Sequence, residues 1–248
     1  SNIGNHDYWI LKLNSVGELV WQGSYGGSAE DYPKSIHQTN DGGYIIAGYT
    51  ISQLGLNNNQ FGSFDYYVVK INATGTIQWH KSYGGRKDDV ALAIQITCDD
   101  GYILSGSSFS VDGDITNHHG SNTTSDSWIV KLTSTGIIEW ENSLGGSNID
   151  AATSIQQTED RGYIICGYSF SSDGDVTLNN GQEDFWIVKL QQPPLITTSN
   201  GSSTFCNGDS LSLYINSGSS FLWNNGDTTH SINIKTSGTY SAIVNNCY

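Results

Sequence analysis

Residues 126–132 read DSWIVKL, and the phrase returns as DYWILKL from Asp7, DYYVVKI from Asp65 and DFWIVKL from Asp184. The starting aspartates stand at positions 7, 65, 126 and 184, which gives spacings of 58, 61 and 58 residues. After the first three phrases come Trp21, Trp79 and Trp140, then GlyGly at 26–27, 84–85 and 145–146, then Asp31, Asp89 and Asp150. A tyrosine-centred phrase completes each copy: DGGYIIAGY from Asp41, DDGYILSGS from Asp99 and DRGYIICGY from Asp160. Self-similarity at a fixed period is the mark of a repeat architecture.

Each repeat reads as four short strands, A to D. Around the middle copy they fall near 90–97, 101–108, 126–132 and 137–143. Runs of Ile, Val, Tyr and Trp bounded by Gly, Asn and Asp are strand signals, and no long stripe with helical period is present. Strands A and B are joined by short Asp/Gly hairpin connections, NDGG, CDDG and EDRG. Strands C and D are joined by NSVG, NATG and TSTG, whose Gly17, Gly75 and Gly136 suit the left-handed residue that closes a type I turn with a G1 bulge. The B–C connection holds the length variation.

Four-stranded antiparallel repeats of about 58 residues, set head to tail, predict an all-β fold of β-propeller blades over residues 1–190. The strands run C–D, then A to D twice, then A–B–C. That makes about three blades with a strand left over, against roughly four to eight in propellers, so the expectation is an incomplete propeller. The opening SNIGNH reads as the tail of a B–C loop, and the chain has no Met, so a fragment is expected.

Residues 191–199, QQPPLITTS, hold two of the three prolines and read as a linker. Residues 200–248 then read as a small, truncated β-sandwich with Trp223 as its core aromatic. So small a core gains from a staple, and Cys206 and Cys247, near its two ends, are predicted to form a disulfide. Cys98 and Cys166 occupy different repeat positions and read as free thiols.

Composition narrows the function. The net charge is −14, with 24 acidic and 10 basic residues. There is no basic patch for nucleic acid, and no apolar run long enough to span a bilayer. No nucleophile elbow, phosphate-binding glycine loop, HExxH or zinc cysteine pattern is present, so no catalytic residue is assigned.

The D-G-D pairs Asp112/Asp114 and Asp173/Asp175 are candidate calcium ligands, because close carboxylates on a Gly-bent loop supply hard oxygens. The competing reading is a solvated turn with Asx-type hydrogen bonds. Copy one has Leu54-Gly55-Leu56 instead, so the carboxylates are not obligatory for a repeat. His118 and His119, near Asp112 and Asp114, pose a transition-metal question; a solvent-exposed pair is the expectation. The tryptophans at recurring strand positions read as packing between sheets rather than sugar platforms. Lys12, Lys70, Lys131 and Lys189, with Asp31, Asp89 and Asp150, read as structural Lys–Asp pairing or turn capping.

The compound phrase D-x-W-[IV]-V-K-L, W, GGS, SIQQT, DGYI and SxDGD resembles a repeat of exported Bacteroidota proteins handled by type IX secretion. CNGDSLSL, LWNNG, SINI and SGTY resemble the Ig-like domains that follow such repeats. The resemblance covers nearly the whole chain and implies a secreted or cell-surface location. It implies no activity, since such repeats accompany adhesins and hydrolases alike; the expectation adopted from the chain as a whole is a non-enzymatic adhesion or scaffold module, whose B–C loops bind a glycan or surface protein, with the Ig-like domain as spacer. Two alternatives stand beside it: a propeller part of, or accessory to, a polysaccharide-degrading enzyme, and a purely structural stalk.

Overall fold

The computed structural model describes residues 4–52, 63–191, 196–198, 209–215 and 220–245. Leu54, Leu56, Cys206 and Cys247 lie outside the described residues, and with them the predicted disulfide. The chain divides into two compact units, Ser1–Leu190 and Gln191–Tyr248. Among the described residues every regular element is a strand.

In the first unit β1 (Tyr8–Leu13) and β2 (Leu19–Tyr25) form a hairpin. A four-stranded sheet follows: β3 (Asp31–Gln38), β4 (Tyr44–Thr50), β5 (Asp65–Ile71) and β6 (Ile77–Tyr83), paired in that order. The next repeats it with β7 (Asp89–Ile96), β8 (Tyr102–Ser108), β9 (Asp126–Leu132) and β10 (Ile138–Leu144). The last holds β11 (Asp150–Gln157), β12 (Tyr163–Ser169) and β13 (Asp184–Leu190). The pairings between these strands are antiparallel, and the B–C register is the same in each copy: Tyr44 faces Ile71, Tyr102 faces Leu132 and Tyr163 faces Leu190.

The turns keep the chemistry expected of them. Gly17, Gly75 and Gly136 have φ of 86°, 84° and 72°, and each C–D hairpin shifts register beside its turn. The A–B turns also need one left-handed residue. Gly42 fills that place in one copy, but Asp100 (φ 61°) and Arg161 (φ 63°) fill it in the others.

Alternation of side chains across each strand explains the stacking. Every residue of β5 and of β9 is buried, whereas β13 alternates between half-buried and exposed. A strand buried on both faces is one sandwiched between two sheets. Tyr66 and Val68 point forward into a core shared with Trp128, Val130 and Leu132. Tyr67, Val69 and Ile71 point back into a core shared with Tyr8 and Tyr25. Ile129 points forward to Ala152, Ile155 and Ile165. One interface is therefore used three times. Tyrosine hydroxyls stitch it: Tyr8 donates to Tyr67 O at 3.1 Å and Tyr66 to Trp128 O at 2.9 Å.

The D-strand tryptophans serve the same interfaces. Trp21 meets Tyr44, Trp79 meets Tyr102 and Trp140 meets Tyr163, with ring centroids 5.9, 6.0 and 5.6 Å apart. Each pair joins one sheet to the next, as the packing reading required.

The lysines pair differently from expectation. Lys70 bridges to Asp41 at 2.8 Å, Lys131 to Asp99 at 2.9 Å and Lys189 to Asp160 at 2.7 Å, so the partner lies in the A–B turn of the same sheet. Asp31, Asp89 and Asp150 instead accept the second GlyGly amide, at 2.8, 2.7 and 2.8 Å from Gly27, Gly85 and Gly146. Strand alternation aims a C-strand side chain at the A–B turn, and sequence spacing does not reveal which aspartate waits there.

In the second unit β14 (Ile196–Thr198), β15 (Leu211–Ile215) and β17 (Ser231–Ile234) form one sheet, and β16 (Ser220–Trp223) and β18 (Ala242–Asn245) another. Trp223 is buried among Leu211, Leu213, Ile215, Ile232 and Ile234. Its indole N–H donates to Thr229 O at 2.8 Å, which meets the polar need of a buried tryptophan.

Candidate functional site

The repeated sheets have two edges. One carries the GlyGly segments and long B–C loops, where the candidate ligands lie; the other carries the A–B and C–D turns.

At the loop edge the D-G-D carboxylates lie against the GlyGly segment of the preceding sheet. Asp114 accepts Gly84 N at 3.1 Å and Asp175 accepts Gly145 N at 3.2 Å. Asp112 accepts Arg86 N at 2.9 Å and Asp173 accepts Ser147 N at 2.7 Å. Gly113 and Gly174, both left-handed, let the loop approach: a Cβ on Gly113 would lie 2.3 Å from Gly84 O. The pairs recur because they hold one sheet to the next. The structure brings Asp112 and Asp114 to one GlyGly segment, and Asp173 and Asp175 to the next.

Beneath these loops lies a set of buried aspartates. Asp65, Asp89, Asp126 and Asp150 expose no surface. Burial, reinforced by Asp89 and Asp114, pushes the Asp65 carboxyl up to about 8. Asp89 is pushed up to about 6, because burial outweighs its bonds from Ser108, Gly85 and Ser110. Burial also raises Asp114 and Asp126.

The histidine pair is not solvent-exposed as expected. The His118 side chain is only 3% exposed, and its Nδ1 lies 3.7 Å from Asp126 Oδ2. His119 gives its backbone N–H to the same oxygen at 2.6 Å, with Nδ1 at 3.0 Å and Nε2 3.8 Å from Asp175. The loop sets the pair against Asp126, at the start of its own strand C, with His119 also beside Asp175. Among the described residues no group of three or more His, Cys, Asp or Glu is arranged to hold a metal ion. A polar recess of about 430 Å³ also opens at this edge, beside Arg86, Lys87, Asp88, Phe109 and Asn122.

The turn edge carries a second concavity, a cleft of about 410 Å³ between the second and third sheets. Trp79 and Ile96 contribute apolar surface. Asn40, Asp41 and Gln78 line it from one sheet, and Asp100, Ser134 and Thr135 from the next. Bonding across the cleft presets part of the rim: Asn40 Nδ2 donates to Asp100 Oδ1 at 2.7 Å. The Lys70 ammonium, bonded to Asp41, holds that carboxyl down at about 2, so it is an anion at neutral pH. An apolar floor with a few convergent polar groups suits a small polar ligand carrying an apolar face. Sequence reading placed the ligand site in the B–C loops and took Asn40, Asp100, Ser134 and Thr135 only as turn residues. Their only signal is position in successive copies, where stacking brings the A–B and C–D turns together.

Cys98 is exposed and Cys166 half-buried, both as free thiols. No known family model matches the chain, and no curated protein does. Among solved structures the chain is similar to a protein of unknown function from Bacteroides caccae, at 11% identity and a TM-score of 0.28, covering 74% of this chain and 71% of that one.

Proposed function

We propose that the chain is a non-enzymatic binding module that takes glycans in the cleft between the second and third sheets. On this reading the repeated sheets are blades of a β-propeller, and the second unit is an Ig-like spacer. The protein works outside the cell or on its surface.

The cleft itself carries the reading. It combines the indole of Trp79 with carboxylate, amide and hydroxyl groups from Asp41, Asn40, Gln78, Asp100, Ser134 and Thr135. Aromatic faces stack on the C–H faces of sugars, while amides and carboxylates take the hydroxyls. The D-G-D carboxylates, by contrast, already accept backbone amides.

A glycan array probed with the whole chain and with Ser134→Trp tests this. Ser134 is exposed in a C–D turn, so the indole fills the cleft without entering the core. Binding that disappears in the variant supports the assignment. Binding that survives places any glycan site elsewhere, and no binding by the parent chain removes the glycan reading.

A further inference from the structure

The cleft between the second and third sheets sits over the Trp79–Tyr102 pair, and the neighbouring interfaces are built on the same aromatic pair, Trp21 with Tyr44 and Trp140 with Tyr163. What differs is the left-handed residue of the adjoining A–B turn. It is Gly42 in the second sheet, Asp100 in the third and Arg161 in the fourth. The turn therefore accepts no side chain, an acid or a base at this place, and the fold does not require a carboxylate there. Of the three interfaces, only the one with the cleft has it.

The charges around the cleft are unequally matched. Lys70 Nζ lies 2.8 and 3.1 Å from the two Asp41 oxygens, 2.8 Å from Gln78 Oε1 and 3.2 Å from Ile71 O. An ammonium has three protons to give, and this side chain is buried, so Lys70 has nothing left for a ligand. Lys81, two residues beyond Trp79, is held by Thr135 O at 3.0 Å and Gly136 O at 2.9 Å. Asp100 is exposed and forms no ion pair among the described residues; its side chain takes one bond, at Oδ1 from Asn40. Its Oδ2 is open. Asp41 and Asp100 both bear on Tyr102, another lining residue, whose hydroxyl burial and these two carboxylates push up to about 12. An unmatched carboxylate in a cleft with an indole face suits an ammonium group, which both attract.

We propose that the cleft selects glycans bearing a free ammonium, with Asp100 taking the amine of a glucosamine-type sugar and Trp79 its C–H face. This rests on the glycan reading and narrows its ligand class. N-acetylation removes the charge that Asp100 attracts, and a sugar acid meets repulsion from Asp41 and Asp100 with no free cation to offset it.

Calorimetric titration of the whole chain with a glucosamine tetramer and with its fully N-acetylated form tests this, at a mildly acidic pH where the free amines are protonated. The parent chain is expected to bind the free-amine tetramer roughly three- to tenfold more tightly. Asp100→Asn keeps the side-chain shape and a residue that tolerates the left-handed backbone, and it should erase that ratio. Glu159→Gln removes one charge from the exposed A–B turn of the fourth sheet, away from the cleft, and should keep it. Equal affinities in the parent chain, a ratio retained in Asp100→Asn, or the same loss in both variants would each overturn the proposal, the last because general attraction to an acidic chain then explains the preference. In all three cases binding of the acetylated tetramer leaves the glycan reading standing. Binding of neither tetramer also overturns the proposal, and the glycan array decides separately whether the wider reading survives.

Discussion

Asp65 and Asp89 come from neighbouring sheets and meet over Gly84, where a Cβ would lie 2.4 Å from Asp65 Oδ1 and 2.5 Å from Asp89 Oδ2. Neither residue exposes any surface. The pattern repeats over Gly145, where a Cβ would lie 2.5 Å from Asp150 and 2.8 Å from Asp126. Each GlyGly step is thus a place where two sheets bring carboxylates together under a loop that excludes water.

That burial makes stability depend on pH. The Asp65 and Asp89 carboxyls titrate near about 8 and about 6 in the folded chain, against about 3.9 when unfolded. A raised carboxyl pKa means that the folded state holds the proton where the unfolded state has lost it. The contribution is therefore complete below about pH 4 and is lost as pH rises through the folded values. The slope reaches about 1.4 kcal/mol per pH unit for each proton of difference. Asp41 and Asp160, held down near about 2 by Lys70 and Lys189, act oppositely, and their contribution is lost only below about pH 4. Melting temperature is expected to peak near pH 4, to fall most steeply up to about pH 6 while both carboxyls keep their protons in the folded chain, and to go on falling toward pH 8. Asp65→Asn, which mimics the protonated form, should flatten the alkaline side of that curve. An unchanged curve in the variant would contradict the assignment.

The left-handed A–B positions allow a stabilising change. Arg161 has φ of 63° and is exposed in the turn, at the place Gly42 occupies in another copy. A non-glycine residue in this region carries about 1–2 kcal/mol of strain, and glycine returns part of that relief as unfolded-state entropy. Arg161→Gly is expected to stabilise by about 0.5–1 kcal/mol, seen as a higher midpoint in urea at unchanged slope. A lower midpoint would mean that the arginine makes contacts outweighing the strain.

Much of this architecture is legible in the sequence because its causes are local and repeat. The spacing of Asp7, Asp65, Asp126 and Asp184 sets the repeat, and Gly17, Gly75 and Gly136 mark turns whose backbone needs a left-handed residue. The cleft is another matter. Asn40 and Asp100 stand 60 residues apart and meet only because successive A–B turns stack. His118 is likewise indistinguishable from a surface histidine until its loop is folded. Side-chain direction decided these cases, and it depends on how the sheets lie against each other.

Gly136 and Gly17 separate two effects of adding a methyl group. Both are left-handed and both close C–D turns. A Cβ on Gly136 would come within 2.9 Å of the Trp79 ring of the preceding sheet, whereas one on Gly17 would meet nothing within 4 Å. Gly17→Ala should therefore cost only the backbone term, about 1 kcal/mol. Gly136→Ala adds displacement of a packed indole, and overpacking costs a further 1–3 kcal/mol or so. Denaturant melts of the two variants give the difference directly. Equal losses would mean that the Trp79 contact is loose enough to yield. That result would also weaken the case for a preformed cleft, because the same indole contributes its apolar surface.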